Sequence, residues 1–351
     1  MIEDNITFLN TKMEIKDHRV FLGFFEVIGR LNPPVEETIK EIKEFYRNSE
    51  YLPFFLEEEG EHIIRLVPVR KTEEKQNYWV NIILFLGTIL TTLLAGSMNS
   101  GGDPFKNPAD LLKGIPFSLS LMAILTCHEL GHYFVSKRFG MVTTLPYFIP
   151  VPFHFLGTFG AIIKMKSFVP SRKALLMVGM SGPLCGFLVA LFTSIIGLSL
   201  SEAKIVPAEG SYLKLGDSLL FYLLGRIIQP NIPEGADIFL HPAAFAGWIG
   251  FLITSMNLIP IGQLDGGHIA YSLFLKNMRY LYIPLIVCLL GFGILWPGWI
   301  VWGLLAFILT RREPVIQDTI TPLSTQEKLL ALVPFFVLIL TFIPQPFKIS
   351  A

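Results

Sequence analysis

Charged residues are scarce in this sequence. Of its 351 residues, 16% are Asp, Glu, Lys or Arg, 52% are hydrophobic, and the formal net charge is zero. A chain of this composition does not fold around one soluble core, and its neutrality gives no reason to expect nucleic acid as a partner. Several apolar stretches are long enough to cross a bilayer. The composition therefore predicts a multi-pass integral membrane protein surrounded by lipid.

Cysteine is also rare, with three residues at Cys127, Cys185 and Cys288. All three lie in apolar stretches, and their spacing fits neither a disulfide framework nor a cysteine zinc site. A cleavable signal sequence is absent from the start of the chain, where the first apolar stretch is short and is interrupted by Glu26. We therefore expect membrane insertion to use the first internal span.

Residues 1–77 have the composition of a small soluble domain. Residues 35–47 alternate apolar and charged side chains with the period of an amphipathic helix. Residues 51–56 and 62–69, separated by a glutamate-rich turn, read as two strands. The sequence predicts a soluble cytoplasmic α+β domain over 1–77 and a membrane domain over 78–351.

The membrane domain is predicted to be all-α, with about seven transmembrane helices. The expected spans are 78–98, 115–135, 174–200, 242–259, 280–296, 299–309 and 329–343. The connection over 201–240 carries mixed charge and an amphipathic stretch.

Basic residues are unevenly distributed between the two sides of these spans. The richer side holds Arg70, Lys71, Lys75, Lys137, Arg138, Arg172, Lys173, Lys276, Arg279, Arg311 and Arg312, and the other side holds Lys106, Lys113, Lys204, Lys214 and Arg226. Loops rich in Lys and Arg stay in the cytoplasm. We therefore expect a cytoplasmic N-terminus and an external C-terminus in a bacterial cytoplasmic membrane.

One apolar segment, 143–167, does not have a helical pattern. It contains three prolines and connects two spans at their cytoplasmic ends. A β-hairpin with its turn near 154–157 fits this pattern. Irregular backbone at membrane depth has to be covered by protein or to line a cavity. We therefore expect the hairpin to dip into the membrane beside a cavity.

The sequence HELGH at 128–132 lies in the second predicted span. Residues four apart share one face of a helix, so His128 and His132 can bind one metal ion. Glu129 is placed to act as a general base. At about 1.5 Å per residue, His132 lies about 8 Å from Lys137 at the cytoplasmic end of the span. A proton relay or an interhelical hydrogen bond also accounts for an isolated histidine pair in a membrane helix.

A catalytic zinc ion usually has three protein ligands and one open position. Asp265 is the best candidate for the third ligand. It lies in NLIPIGQLDGGH at 257–268, where glycines permit a close turn. The same aspartate can instead cap a helix that begins at Gly266, and the two roles are compatible.

Together these motifs resemble the site-2 protease family of intramembrane zinc metalloproteases. The resemblance rests on HELGH, on GMSGPLCG at 179–186 and on NLIPIGQLDGGH, in the family's order, and it covers about 116–271. It implies His128, His132 and Asp265 as ligands of Zn²⁺ and Glu129 as catalytic base. The connection over 201–240 is too short for the PDZ domain of many members, so the chain resembles a member that lacks one.

Other residues near these motifs are candidates for substrate binding. By resemblance, Asn257 holds substrate or the oxyanion, although an interhelical hydrogen bond explains it equally well. His154 and His268 are expected to support the site without binding metal. Prolines remove donors from one edge of the first hairpin strand, so the outer edge of the second strand remains open to a substrate. The substrate-binding candidates on that strand are Gly160, Ala161, Ile162 and Ile163.

The sequence thus predicts a hydrolase, a zinc metalloendopeptidase that performs intramembrane proteolysis. Its partner is a membrane protein whose transmembrane segment it cleaves near the cytoplasmic face. A transporter or metal-handling protein that uses the histidine pair is the main alternative, and a catalytically silent binding protein is a third. A transporter more often has internal repeats, and a silent relative usually lacks the glutamate. The oligomeric state and the substrate stay open.

Overall fold

The computed structural model describes residues 2–21, 24–68, 77–205, 212–233, 235–310 and 313–350. Helices dominate it, and its strands form four small sheets. The α-helices of the described residues are α1 Ile2–Asn10, α2 Val35–Phe45, α3 Tyr78–Asn99, α4 Ile115–Arg138, α5 Arg172–Ser199, α6 Leu219–Ile228, α7 Pro242–Leu258, α8 Asp265–Phe274, α9 Arg279–Phe292, α10 Gly298–Leu309, α11 Thr325–Leu330 and α12 Leu332–Thr341.

The strands are β1 Met13–Phe21, β2 Phe24–Leu31, β3 Tyr51–Glu58, β4 Glu61–Pro68, β5 Tyr147–Pro150, β6 Thr158–Ile162, β7 Glu202–Ile205, β8 Tyr212–Leu215, β9 Ala236–Phe239 and β10 Phe347–Ser350. The four-stranded sheet has the order β1-β2-β4-β3, and the other three sheets pair β5 with β6, β7 with β9 and β8 with β10.

The N-terminal unit, residues 2–68, is an antiparallel sheet with α1 and α2. Its core includes Leu9, Ile39, Ile42, Phe55 and Ile64. The predicted amphipathic helix corresponds to α2, and the two predicted strands correspond to β3 and β4. The sequence pattern did not indicate β1 and β2.

Glu26 explains why β2 was missed. A charged residue interrupts an apolar stretch at this position, yet the carboxylate is buried and forms ion pairs with Arg19 at 2.9 Å and Arg65 at 2.6 Å. Burial opposes ionisation of Glu26, but the hydrogen bonds from Arg19 and Arg65 outweigh it and hold the pKa of the carboxyl below its usual value. The strand therefore buries a charge together with its partners.

Four helical segments within the described residues are long and apolar enough to cross a membrane. They are Tyr78–Asn99, Pro108–Arg138, Arg172–Ser199 and Asp265–Phe292, the last made of α8, a 3₁₀ turn and α9. Each of the seven predicted spans contains an apolar helix, but α7 has 17 residues, α10 has 12 and α12 has 10. A helix that crosses the hydrocarbon core needs about 20 residues. The structure thus supports a membrane protein with four such segments.

The centre of the helical part is formed by α4, α5 and α7. Their contact surfaces are lined with small residues: a Cβ on Gly131 would lie 2.6 Å from the Ser181 carbonyl oxygen, and one on Gly197 would lie 2.1 Å from the Ala244 nitrogen. Helix backbones approach this closely only where side chains are minimal. The backbones of α4, α5 and α7 are therefore in close contact.

The segment that follows α4 runs along α3 and contains the antiparallel pair β5–β6. The Asn81 amide donates to the carbonyls of Leu145 and Pro146, and a Cβ on Gly157 would lie 2.4 Å from the Thr91 carbonyl oxygen. The first strand is therefore covered by α3, while β6 lies on the side towards α4.

The segment Val315–Thr319, which we call the strap, joins the N-terminal unit to the helical part. The Phe55 amide donates to the Gln317 carbonyl at 2.6 Å, and the Gln317 amide donates to the Val169 carbonyl at 2.8 Å. Asp318 is buried and forms an ion pair with Lys43 at 2.9 Å. The strap thus covers the β3 edge of the sheet and fixes it beside the start of α5.

Candidate active site

Helix α4 presents three ionisable side chains to the interior of the bundle. His128, Glu129 and His132 are 6%, 7% and 6% exposed, respectively. The two histidines are one helical turn apart, so both imidazoles face α5 and α8. Their Nε2 atoms lie 3.2 Å apart.

Asp265 completes this group from the first turn of α8. Its two carboxylate oxygens lie 3.4 Å from His128 Nε2 and 3.3 Å from His132 Nε2. The N-cap of α8 is Leu264, and no side chain caps the helix. The alternative role of Asp265 as a helix cap is therefore wrong for this structure.

The glycines around Asp265 make this position possible. A Cβ on Gly266 would lie 2.0 Å from the Leu258 carbonyl oxygen, and one on Gly267 would lie 2.3 Å from the Gly262 carbonyl oxygen. Gly262 itself has φ 54, a conformation that glycine adopts at little cost. The turn after α7 is consequently tight enough to return the aspartate to α4.

The donor set fits a zinc ion. The ligand atoms of His128, His132 and Asp265 all lie within 4.8 Å of one another. Bonds of about 2.0–2.1 Å in tetrahedral geometry place neighbouring ligand atoms about 3.3 Å apart, and the three separations are 3.2, 3.3 and 3.4 Å. Two imidazoles and one carboxylate leave a fourth position open.

A carbonyl of α5 sets the orientation of one ligand. His132 Nδ1 lies 2.8 Å from the Val178 carbonyl oxygen. Because a carbonyl only accepts, Nδ1 carries the proton and the Nε2 lone pair of the neutral ring faces His128 and Asp265. A lone pair on Nε2 that faces two further ligand atoms is the arrangement that a metal ligand requires. This backbone contact has no signature in residue type, and the sequence did not reveal it.

Glycines of α5 make room for both imidazoles. A Cβ on Gly182 would lie 2.1 Å from His132 Nε2, and one on Gly186 would lie 3.1 Å from His128 Cβ. Any larger residue at Gly182 would collide with the metal-facing edge of the ring. These glycines of the GMSGPLCG motif therefore shape the site as well as the helix contact.

We expect Gly182→Ala to weaken zinc binding by about 10–100-fold, the range seen when the support of a metal ligand is removed. The reason is displacement of His132 by the new methyl group. Competition with a chelator on the purified chain measures the change. Gly291→Ala is the matched control, since a Cβ there meets nothing within 4 Å. Equal zinc affinity in the two variants would contradict the close contact.

Glu129 lies between the metal ligands and the hairpin segment. The backbone amide of Ile163 forms a hydrogen bond with its carboxylate. Of the predicted strand residues, Ile163 is thus beside the candidate base, whereas Gly160 has φ 93 and its amide donates to Thr158 Oγ1. Ala161 and Ile162 are paired with Phe148 and Tyr147 in the ladder.

The remaining predicted residues are not part of the metal group. Asn257 is half-buried in the last turn of α7. Its side-chain amide has no hydrogen-bond partner in the part of the chain that the structure describes. His154 lies in the hairpin turn, where its Nδ1 accepts from the Leu156 amide. His268 lies one turn after Asp265, with a buried Nδ1 that has no partner among the described residues.

This combination of ligands and base within apolar helices is that of a metalloprotease centre. The profile of Peptidase family M50 matches residues 116–292, which is half of the chain. The chain therefore belongs to Peptidase family M50, the site-2 protease family, and the resemblance found in the sequence is confirmed.

Named relatives agree with the family. "Probable zinc metalloprotease EGY1, chloroplastic" of Oryza sativa subsp. japonica is 33% identical over 66% of this chain and 40% of its own length. "Probable zinc metalloprotease EGY2, chloroplastic" of Arabidopsis thaliana is 31% identical over 70% of this chain and 44% of its own length. The chain thus spans less than half of these relatives. No solved structure matches it.

The comparisons bear on two further predictions. The family is a peptidase family and the two relatives are named probable zinc metalloproteases. The predicted class of protein is therefore confirmed at the level of the family, and a transporter is not favoured. The relatives are plant chloroplast proteins. They give no support to a bacterial cytoplasmic membrane, which stays a prediction, whereas the apolar helices and the family support a membrane protein.

Proposed function

We propose that this chain is an intramembrane zinc endopeptidase that cleaves transmembrane segments of other membrane proteins. The observation that carries the proposal is the approach of His128, His132 and Asp265 within 3.2–3.4 Å of one another, beside Glu129 and between apolar helices. Ionisable groups inside such helices are costly and usually functional.

The residues of the chain divide the chemistry among them. His128, His132 and Asp265 would hold the ion, and zinc supplies Lewis-acid activation of a water molecule and of the scissile carbonyl. Glu129 takes the proton from the attacking water and passes it to the leaving amine. The apolar side chains of α4, α5 and α7 exclude bulk water. A substrate helix must unwind before attack because its own hydrogen bonds shield its peptide bonds.

The edge formed by residues 163–166, directly after β6, is the part of the site that we propose holds the unwound substrate. The Thr144 amide donates to the Lys164 carbonyl, and the Lys166 amide donates to the Val142 carbonyl. The backbone groups of these two lysines therefore face residues 142–144, just before β5. Backbone groups alternate along a strand. The amides of Ile163 and Met165 therefore face away from residues 142–144, and the Ile163 amide meets Glu129. A substrate strand can add on this side.

Proline scanning tests this edge. We expect Met165→Pro to reduce cleavage at least tenfold while zinc content and expression survive, because proline removes an amide that faces the substrate. Lys166→Pro is the matched comparison. It should lower expression, because it removes the Lys166 amide that donates to the Val142 carbonyl and holds the two arms of the hairpin together. Equal activity of the two variants would rule out the strand as the substrate clamp.

We further propose that all seven predicted spans cross a membrane and that the N-terminal unit lies on the cytoplasmic side. Several of the basic residues behind this orientation, Arg70, Lys71, Lys75, Arg311 and Arg312, lie outside the described residues. Support comes from the strap, which ties the N-terminal unit to the start of α5, and from β10, which pairs with β8 in the connection that follows the other end of α5.

Reporter fusions at the two ends of the chain test this topology. We expect a cytoplasmic reporter to be active at Met1 and a reporter for the opposite side to be active at Ala351. An odd number of crossings gives this result. Reporters active on one side only would mean that a short helix, such as α10, does not cross.

The protease activity itself is tested by mass spectrometry of membrane fragments. Cells that produce the wild-type chain are compared with cells that produce Glu129→Gln. Peptides that end within a transmembrane segment and occur only with the wild type support the proposal. Identical fragment sets would contradict it.

A further inference from the structure

A cleft separates the N-terminal unit from the helical part. It has a volume of 670 Å³ and is lined by the β3–β4 turn, the strap and the junction between α8 and α9. None of the four residues of the candidate active site lines this cleft. Its walls combine aromatic rings and carboxylates with two cationic side chains, Arg65 and Lys276, each of which forms an ion pair with a glutamate.

The aromatic part of the cleft comes from both sides of the gap. Phe168 and Phe274 of the helical part are 41% and 49% exposed. Phe54 of β3 contacts Phe168 edge to face at 5.1 Å, which fixes the orientation of that ring. Partly exposed rings held in place offer flat faces to a ligand.

The acidic part is the turn Glu57–Glu59 at the rim. Glu58 forms an ion pair with Lys276 at 3.0 Å, which joins the two sides of the cleft. Glu57 and Glu59 line the cleft too, are exposed, and have no ion-pair partner among the described residues. Aromatic faces beside free carboxylates match the side chains of lysine and arginine, which combine an apolar stem with a cationic head.

Two short stretches of chain connect the cleft to the candidate site. Phe168 follows Ile163 by five residues, a distance of about 16 Å for extended chain. Phe274 ends the helix that begins at Asp265, about 13 Å away along the helix axis. A substrate of five extended residues is therefore long enough to reach from the candidate site to the cleft.

We propose that this cleft binds the basic flank of the substrate, the Lys- or Arg-containing residues that adjoin a transmembrane segment on its cytoplasmic side. Membrane proteins carry such residues at that position as a general rule. The inference rests on the proposed protease function and adds a selection rule to it. A segment with a basic flank at the correct distance is held with its unwound part on the hairpin edge.

The test is a binding measurement on the full chain with Glu129→Gln, which separates binding from cleavage. The probe is a fluorescein-labelled peptide with a leucine- and alanine-rich segment of about 20 residues, a central Gly-Pro pair and a flank of three lysines. A second peptide has three glutamines there. In lipid nanodiscs, fluorescence anisotropy is expected to give at least about fivefold tighter binding of the lysine peptide, less at high salt.

Variants of the rim locate the effect. Glu57→Gln with Glu59→Gln should abolish the preference for lysine, and Glu57→Lys with Glu59→Lys should favour a glutamate-flanked peptide. Glu36→Gln with Glu37→Gln, two exposed carboxylates on α2, is the matched control and should keep the preference.

Two results would overturn the assignment: equal affinity of the wild-type rim for both peptides, or a lysine preference that survives the charge reversal. Both leave the protease proposal intact, because fragment release by the wild-type chain is measured separately. A wild-type chain that releases no fragments but keeps the lysine preference would refute the protease proposal alone. The cleft would then bind basic flanks for another purpose.

Discussion

Replacement of Glu129 by glutamine is expected to lower the rate of peptide cleavage by about 10²–10⁴-fold, the usual contribution of a general base. Glutamine has nearly the same shape as glutamate but accepts no proton at neutral pH. The side chain is buried beside the metal ligands and hydrogen-bonded to the Ile163 backbone. The amide oxygen of glutamine can accept the same hydrogen bond, so the local structure should persist.

The measurement is cleavage of a membrane-protein substrate by purified chain in proteoliposomes, with zinc content determined on the same samples. Zinc should remain at the wild-type level because Glu129 is not one of the three grouped ligands. Glu36→Gln, an exposed change on α2, should leave the rate unaltered. Cleavage by Glu129→Gln at a rate near that of the wild type would refute the mechanism.

The candidate catalytic group shows which parts of such a site can be predicted from sequence. His128, Glu129 and His132 are close because a helix imposes their spacing, so a short motif is sufficient. Asp265 is distant in sequence, and its assignment needed the glycine-rich turn and the family resemblance. The Val178 carbonyl and the Ile163 amide are backbone groups. Any residue type supplies them, so no sequence pattern can indicate their role.

The fold was predictable to the extent that it depends on local pattern. Helix α2 and strands β3 and β4 have clear periodicity, whereas β2 contains Glu26, whose burial depends on arginines from two other strands. The strap has no secondary-structure signal of its own. Its pairing with Phe55 and Val169 joins segments far apart in the chain, and such contacts follow from the assembled structure alone.

Removal of the carboxylate of Asp265 is expected to have the largest effect on the metal. Asp265→Ala should reduce zinc affinity by more than about 100-fold, because even partners in the outer shell of a metal site contribute 10–100-fold. The two imidazoles would then face each other at 3.2 Å without a counter-charge. Asp265→Asn should also weaken binding, since it keeps the shape but lacks the negative charge that a divalent cation requires.

Zinc content after dialysis against a weak chelator measures the loss, and cleavage assays follow the same series. Gln263→Ala, an exposed residue of the same loop, is the matched control and should bind zinc as the wild type does. Circular dichroism establishes that the helices of Asp265→Ala are intact. Wild-type zinc affinity in Asp265→Ala would show that the ion, if bound, is held by the histidine pair with another group, and His268, one turn further along α8 with a buried and unpartnered Nδ1, would then be the next residue to replace.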